Sequence, residues 1–114
     1  MNQAQKEWRI IERLPETLEF IADLMEQKTW SFITALDMTC TRYDHDLARA
    51  LNVAKRAICL GMTLEDALRH MSRKADVPEL TAIAEAIIHA DQTGADIAAL
   101  LRDEAHRIRT QMGA

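Results

Sequence analysis

The stretch LARALNVAKRAICLGMTLEDALRHM, residues 47–71, decides the fold of this chain. Its apolar residues recur at steps of three and four, the spacing that lines one face of an α-helix. Gly61 interrupts the pattern, because glycine has no β-carbon and can adopt the left-handed conformation that ends a helix. Thr63 can cap the next helix through its hydroxyl, and Asp66 can reach back to the Thr63 amide in a capping box. The stretch therefore predicts two helices joined by a tight turn.

The same apolar spacing marks six segments along the 114-residue chain. The predicted helices span about 15–26, 31–42, 45–60, 64–73, 77–92 and 96–110. No segment alternates with the period of two that is typical of a strand. Connections this short place successive helices side by side, so we expect an all-α fold, a compact antiparallel six-helix bundle. We divide the chain into a lead-in, residues 1–12, and a helical domain, residues 13–111.

Further helix starts and stops are indicated by single residues. Asp44 is expected to cap the helix that follows it. Asp76 and Glu79 are three residues apart, which predicts a second capping box. Pro78 fits the first turn of that helix, because the N–H that proline lacks would have no partner there. Gly94 is expected to end the fifth helix.

The composition excludes several classes of protein. Apolar residues make up 48% of the chain and aromatic residues only 4%, which favours helices over sandwiches and barrels. The net charge of −4 argues against nucleic acid as a partner. No stretch approaches the roughly 18 consecutive apolar residues of a membrane span, and the amino end lacks the apolar core of a signal peptide. Cys40 and Cys59 are too few for a disulfide framework and favour a reduced, cytosolic setting.

Residues with catalytic potential form only weak patterns. Glu85 with His89 and Asp103 with His106 could each share a helix face. A di-metal bundle, however, needs two Glu-x-x-His pairs and two further carboxylates. Cys59 lies in an apolar stretch and is expected to be a core residue rather than a nucleophile. We therefore predict that the chain is not an enzyme and holds no cofactor or metal. A metal-binding bundle enzyme is the weakest interpretation of the function, behind the two that are given below.

Charged residues form two groups of opposite sign. The first predicted helix carries acidic residues with Arg13 as the base among them: Glu12, Glu16, Glu19, Asp23 and Glu26. The middle of the chain carries basic residues, opposed by Glu65 and Asp66: Arg49, Lys55, Arg56, Arg69, Arg73 and Lys74. Each group is either an ordinary solvated helix face or an electrostatic docking surface that steers the approach of a partner. The acidic group and Arg69, Arg73 and Lys74 are our candidate partner-binding residues.

The lead-in combines cations with apolar and aromatic side chains: Lys6, Trp8, Arg9, Ile10, Ile11 and Arg13. This mixture suits the headgroup zone beside a membrane span. It also suits an amphipathic segment that packs Trp8 onto the bundle. Both interpretations remain open from the sequence.

Five segments, taken in order, resemble the type II secretion system F domain family. Residues 13–20 are similar to its opening LPDALDLL, 61–68 to its G-x-[ST]-L-x-x-A-L step, and 76–80 to its VPEL helix start. Residues 90–97 resemble its A-[DE]-x-x-G-x-x-[IL] turn, and 101–109 the L-R-x-x-A-x-x-x-R that precedes its next membrane span. The last two segments look closest to TadC-type proteins of tight-adherence (Tad/Flp) pilus machines.

The resemblance implies a scaffold rather than a catalyst. F-family proteins form the inner-membrane platform that couples a hexameric cytoplasmic ATPase to pilus assembly or type II secretion. The chain would act at the cytoplasmic face of the bacterial inner membrane, docking to the ATPase, to a second platform subunit or to itself. Family members carry membrane helices beside this domain, which implies that this chain is an excised part of a membrane-embedded protein. A free-standing soluble helical adaptor or regulator with the same fold is the alternative.

One departure from the family concerns the first hairpin. Thr29 stands where the family usually has glycine, so the turn is expected to be looser or differently capped.

Overall fold

The computed structural model describes residues 2–113, and Met1, the first residue of the predicted lead-in, lies outside them. The described part of the chain forms seven helices and contains no strand, which confirms the all-α fold. The helices are α1 Gln3–Ile11, α2 Leu14–Gln27, α3 Phe32–Arg42, α4 Asp46–Cys59, α5 Leu64–Ala75, α6 Pro78–Thr93 and α7 Ile97–Gly113. All six predicted helices are present, and the lead-in contributes α1.

The helices enclose one apolar core. From α2 to α7 each helix packs against the next in the chain, and α2 closes the bundle by its extensive packing against α7. The most deeply buried leucines come from six of these helices: Leu14, Leu36, Leu47, Leu68, Leu80 and Leu101. The radius of gyration is 13.1 Å, close to the value of about 13 Å expected for a compact domain of this length.

The turn at Gly61 has the predicted left-handed conformation. Gly61 has a φ of +104° and follows the last residues of α4. Its N–H donates to the Ile58 carbonyl at 3.0 Å, and the Met62 N–H donates to the Ala57 carbonyl at 3.0 Å. These two bonds form a Schellman motif, which satisfies carbonyls at the end of the helix.

Three further boundary predictions are confirmed. The Thr63 hydroxyl accepts a hydrogen bond from the Asp66 amide at 3.1 Å, which confirms Thr63 as the cap, but the Asp66 carboxylate accepts no bond from the Thr63 amide, so the predicted capping box is wrong in that half. Pro78 is the first residue of α6. Gly94 follows α6 with a φ of +73°, and its N–H donates to the Ala90 carbonyl.

The second predicted capping box is wrong. Asp76 does not cap α6; it ends α5 in the left-handed conformation, with a φ of +55°, and its N–H donates to the Ser72 carbonyl at 2.9 Å. The cap position of α6 falls on Val77, which makes no side-chain cap bond. The cause is Pro78, because a residue before proline is held in the extended region, and Val77 has a φ of −123° and a ψ of 113°.

The cap of α4 is also one residue later than predicted. His45, rather than Asp44, holds the cap position, and its Nδ1 accepts a hydrogen bond from the Ala48 amide at 3.0 Å. Asp44 instead accepts a bond from the Arg49 guanidinium at 3.1 Å. The imidazole stacks on the ring of Tyr43, with 5.1 Å between the ring centroids, which places it over the helix start.

Helix α1 packs against α4. Ile10 is 3% exposed and belongs to the core, whereas Trp8 is 51% exposed. The Gln3 side chain donates to the Asp76 carbonyl at 3.1 Å and so ties α1 to the end of α5. The fully buried apolar contact of α1 with the bundle is therefore made by Ile10.

Candidate docking surfaces

The acidic residues of α2 face basic residues of α7. The Arg102 guanidinium donates to Asp23 at 2.8 Å and to Glu26 at 2.6 Å. Arg109 pairs with Glu19 at 2.5 Å, and its hydrogen bond lowers the pKa of the Glu19 carboxyl. We call these five residues the α2–α7 seam. Much of the acidic surface predicted from the sequence is therefore neutralised within the chain.

The remaining acidic candidates lie at the start of α2. Glu16 pairs with Arg13 at 3.2 Å. Glu12 is exposed and forms no ion pair with a residue in the range 2–113. It lines a shallow groove of about 280 Å³ together with Arg109 and Met112. Among the acidic candidates, Glu12 in this shallow groove is therefore the one that remains open to a partner.

The basic candidates do not form one continuous surface. Arg69 pairs across α5 and α6, with its Nε 3.1 Å from Glu85, and also contacts Glu65. Those bonds, first the one with Glu85, raise the pKa of Arg69. Lys55 lies on another side, 3.4 Å from Asp37 of α3. Both cations are occupied by acidic residues of neighbouring helices.

Three basic candidates remain unpaired in the described part of the chain: Arg56, Arg73 and Lys74. Arg56 of α4 and Lys74 of α5 line a groove of about 310 Å³, whereas Arg73 does not. We call this the α4–α5 groove, and its lining residues are Val53, Arg56, Ala57, Leu60, Met62, His70 and Lys74. It combines cations with an apolar surface and contains no acidic residue.

A second groove of about 230 Å³ continues the first toward α1. It shares Val53 and Lys74 with the α4–α5 groove and adds Lys6 of α1 and Arg49 of α4. Asp46 also lines it, and this carboxylate contacts the Arg49 guanidinium. The two grooves together form a positively charged face along α4.

The apolar part of the α4–α5 groove was not anticipated from the sequence. Leu60 is 88% exposed and Met62 is 45% exposed, and they flank Gly61 in the turn between α4 and α5. The available signal was their position on either side of a helix-ending glycine. Apolar spacing assigns residues to helix faces, and the predicted helix 45–60 included Leu60, so the exposure of this side chain was not expected.

The two cysteines lie in different surroundings. Cys59 is exposed, so its expected place in the core is wrong; it stands at the last position of α4, where the chain turns outward. Burial raises the pKa of the Cys40 thiol to about 11, which disfavours the reactive thiolate.

Within residues 2–113 no group of three or more metal-ligating side chains is close enough to hold an ion. No helix in the same range is long and apolar enough to cross a membrane.

Comparison of the chain with family models, with curated proteins and with solved structures finds no match.

Proposed function

We propose that this chain is the cytoplasmic domain of an inner-membrane platform protein. In this proposal the full-length protein is embedded in the bacterial inner membrane and couples a hexameric secretion ATPase to pilus assembly or type II secretion. The observation that carries the proposal is the set of five segments, in the same order along the chain, that resemble the type II secretion system F domain family. The residues central to three of them, Gly61, Pro78 and Gly94, lie at helix boundaries, where motifs that determine a fold are expected to act.

The proposed role is docking without catalysis. A rigid helical bundle can hold partners in fixed positions through its surface, and charged rims mainly set the rate and orientation of association. The candidate contacts are the surface around Glu12 and the positively charged face along α4. The proposed partners are the ATPase, a second platform subunit and a second copy of this chain.

The alternative function is that of a free-standing adaptor with the same fold. The α4–α5 groove would serve such a protein equally well, since it presents apolar and basic side chains to a partner. Determination of the coding sequence on both sides separates the two functions. Adjacent spans of about 20 apolar residues support the platform, and their absence from the complete reading frame supports the adaptor.

A binding measurement tests the platform directly. The purified chain is titrated with the secretion ATPase encoded in the same gene cluster, at low and at moderate salt. We expect binding that weakens as salt rises, and weaker binding with a smaller salt dependence when Lys74 is changed to glutamate. A matched Glu12→Lys variant tests the surface around Glu12 in the same titration. If the ATPase shows no binding to the wild-type chain, the platform proposal fails.

A further inference from the structure

The cations of α4 and α5 differ in how they are used. Some pair with carboxylates of the chain: Arg49, Lys55 and Arg69. Arg56 and Lys74 do not pair with any residue in the range 2–113, and they flank the α4–α5 groove from its two sides. Arg73 is also unpaired in the described part of the chain but lies outside the groove. Arg56 and Lys74 are the cations that are both unpaired and beside the apolar surface, so they mark where an external acidic group can bind.

The apolar part of the groove follows one stripe of α4. Val53, Ala57 and Leu60 are spaced by four and then three residues, so they lie on the same side of the helix. Met62 extends the apolar surface beyond the turn. Exposed apolar side chains that are concentrated beside a basic rim are typical of a surface that becomes covered by a partner.

The dimensions suit a short helix. The open stripe from Val53 to Leu60 covers seven residue steps, which corresponds to roughly 10 Å, or about two helical turns. The adjoining groove already shows how a helix can pack on this face, since α1 packs on α4 there through Ile10. The remaining part of the face, between Val53 and Met62, is uncovered.

We propose that the α4–α5 groove binds an acidic amphipathic helix of about two turns. Its apolar face covers Val53 and the Leu60–Met62 turn, and its carboxylates approach Arg56 and Lys74. This is the groove-binding mode in which residues at i, i+3, i+4 and i+7 anchor a helix. The proposal concerns the chemistry of the surface and does not depend on a role in secretion.

The test uses a displayed library of 12-residue, helix-forming peptides selected on the full chain at about 150 mM salt. Apolar positions vary among Leu, Ile, Met and Ala, and flanking positions vary among Glu, Lys and Ser. We expect enrichment of peptides with glutamate flanks. Enrichment of lysine or serine flanks, or of no peptide, overturns the proposal.

An enriched acidic peptide is then labelled, and its affinity for variants is measured by fluorescence anisotropy. Lys74→Glu is expected to weaken binding at least tenfold. Arg73→Glu is the matched control, since it makes the same charge change one residue away but outside the groove, and we expect a change below about threefold. Equal effects of the two substitutions would mean that net charge, not the groove, controls binding, and would overturn the proposal.

The apolar contact has its own pair of variants. Leu60→Ser is expected to weaken peptide binding at least fivefold, whereas Ile33→Ser, at another exposed apolar residue, leaves it unchanged. Circular dichroism of each variant verifies the fold.

The wild-type chain is also tested with vesicles of phosphatidylcholine and phosphatidylglycerol at 3:1 and by sedimentation equilibrium. Vesicle binding or dimer formation that Leu60→Ser abolishes, without binding of acidic peptides, assigns the surface to a membrane or a second copy and overturns the proposal.

Discussion

The α2–α7 seam and the α4–α5 groove both present charged residues at the surface, but they use them in different ways. In the seam Arg102 and Arg109 pair with Asp23, Glu26 and Glu19. In the groove the cations lie beside exposed apolar residues and have no acidic neighbour among the lining residues. The difference teaches that a run of like charges in a sequence does not identify a docking surface. A run of like charges is available to a partner only where the fold does not pair it with residues of opposite charge from the same chain.

The interior behind the seam and the groove should differ most in how much a truncated leucine lowers the free energy of unfolding. Leu101 of α7 is fully buried, so Leu101→Ala should lower the free energy of unfolding by about 2–5 kcal/mol through lost burial and a cavity. Leu60→Ala in the groove should change it by less than about 0.5 kcal/mol, because that side chain is exposed. Urea denaturation measures both. Similar losses for the two variants would show that Leu60 is part of the core after all.

The sequence predicted the helices well because their signals are local. Most predicted helix ends lie within two residues of the observed ones, since apolar spacing and caps act over a few residues. The ion pairs of the seam were not predicted. Arg102 and Asp23 are 79 residues apart, and their contact depends on how α2 packs against α7, which an apolar stripe does not specify.

The candidate site was found only in part for a related reason. Lys74 and Arg73 are neighbours of the same charge, and nothing in the sequence indicates that only Lys74 lines the groove. Asp76 shows the opposite problem, because a strong local signal was overruled by another one. The proline at position 78 forces Val77 into an extended conformation and so leaves Asp76 outside the cap position.

The next effect concerns the turn that closes the groove. Gly61 has a left-handed φ of +104°, so Gly61→Val should destabilise the chain by about 1–2 kcal/mol. No atom outside the neighbouring residues lies within 4 Å of the position of an added β-carbon, so the cost comes from the backbone alone. Leu60→Val, at an adjacent residue with a φ of −88°, is the control and should be nearly neutral. A neutral Gly61→Val variant in thermal denaturation would contradict the need for glycine there.

The turn after the seam helix α2 offers the converse test. Thr29 has a φ of +53°, an unfavourable conformation for a β-branched residue. Thr29→Gly should therefore raise the free energy of unfolding by about 0.5–1 kcal/mol. Thr41→Gly, inside α3, should lower it. A loss of stability in Thr29→Gly would mean that the Thr29 side chain contributes more than its backbone strain costs.

An effect of similar size links the two regions through pH. His45 caps the groove helix α4, and its Nε2 lies 3.5 Å from the Thr17 hydroxyl of the seam helix α2. Burial, assisted by the charge of Arg13, lowers the pKa of His45 from its ordinary 6.5. The unfolded chain therefore binds the proton more readily, so stability is full above about pH 6.5 and falls as the pH drops below it.

The loss should approach about 1 kcal/mol, the usual contribution of a helix cap, because a protonated Nδ1 cannot accept the Ala48 N–H. Urea denaturation between pH 7.5 and pH 5 measures it. His45→Asn keeps a capping side chain but removes the titration, so its stability should fall less over the same range. If the two proteins lose stability in parallel, other groups cause the acid effect.

The smallest effect tests the charges themselves. Arg102→Ala removes two contacts of the seam, to Asp23 and Glu26, and should lower the melting temperature slightly at low salt. Lys74→Ala removes a cation without such contacts and should leave the melting temperature unchanged or slightly higher, because it relieves the positive field of the groove. The difference between the two variants should shrink in 1 M salt, where the screening length falls to about 3 Å. Thermal denaturation at 0.02 M and 1 M salt measures both. If both variants shift the melting temperature equally, or if the difference between them does not depend on salt, ion pairing does not distinguish the α2–α7 seam from the α4–α5 groove.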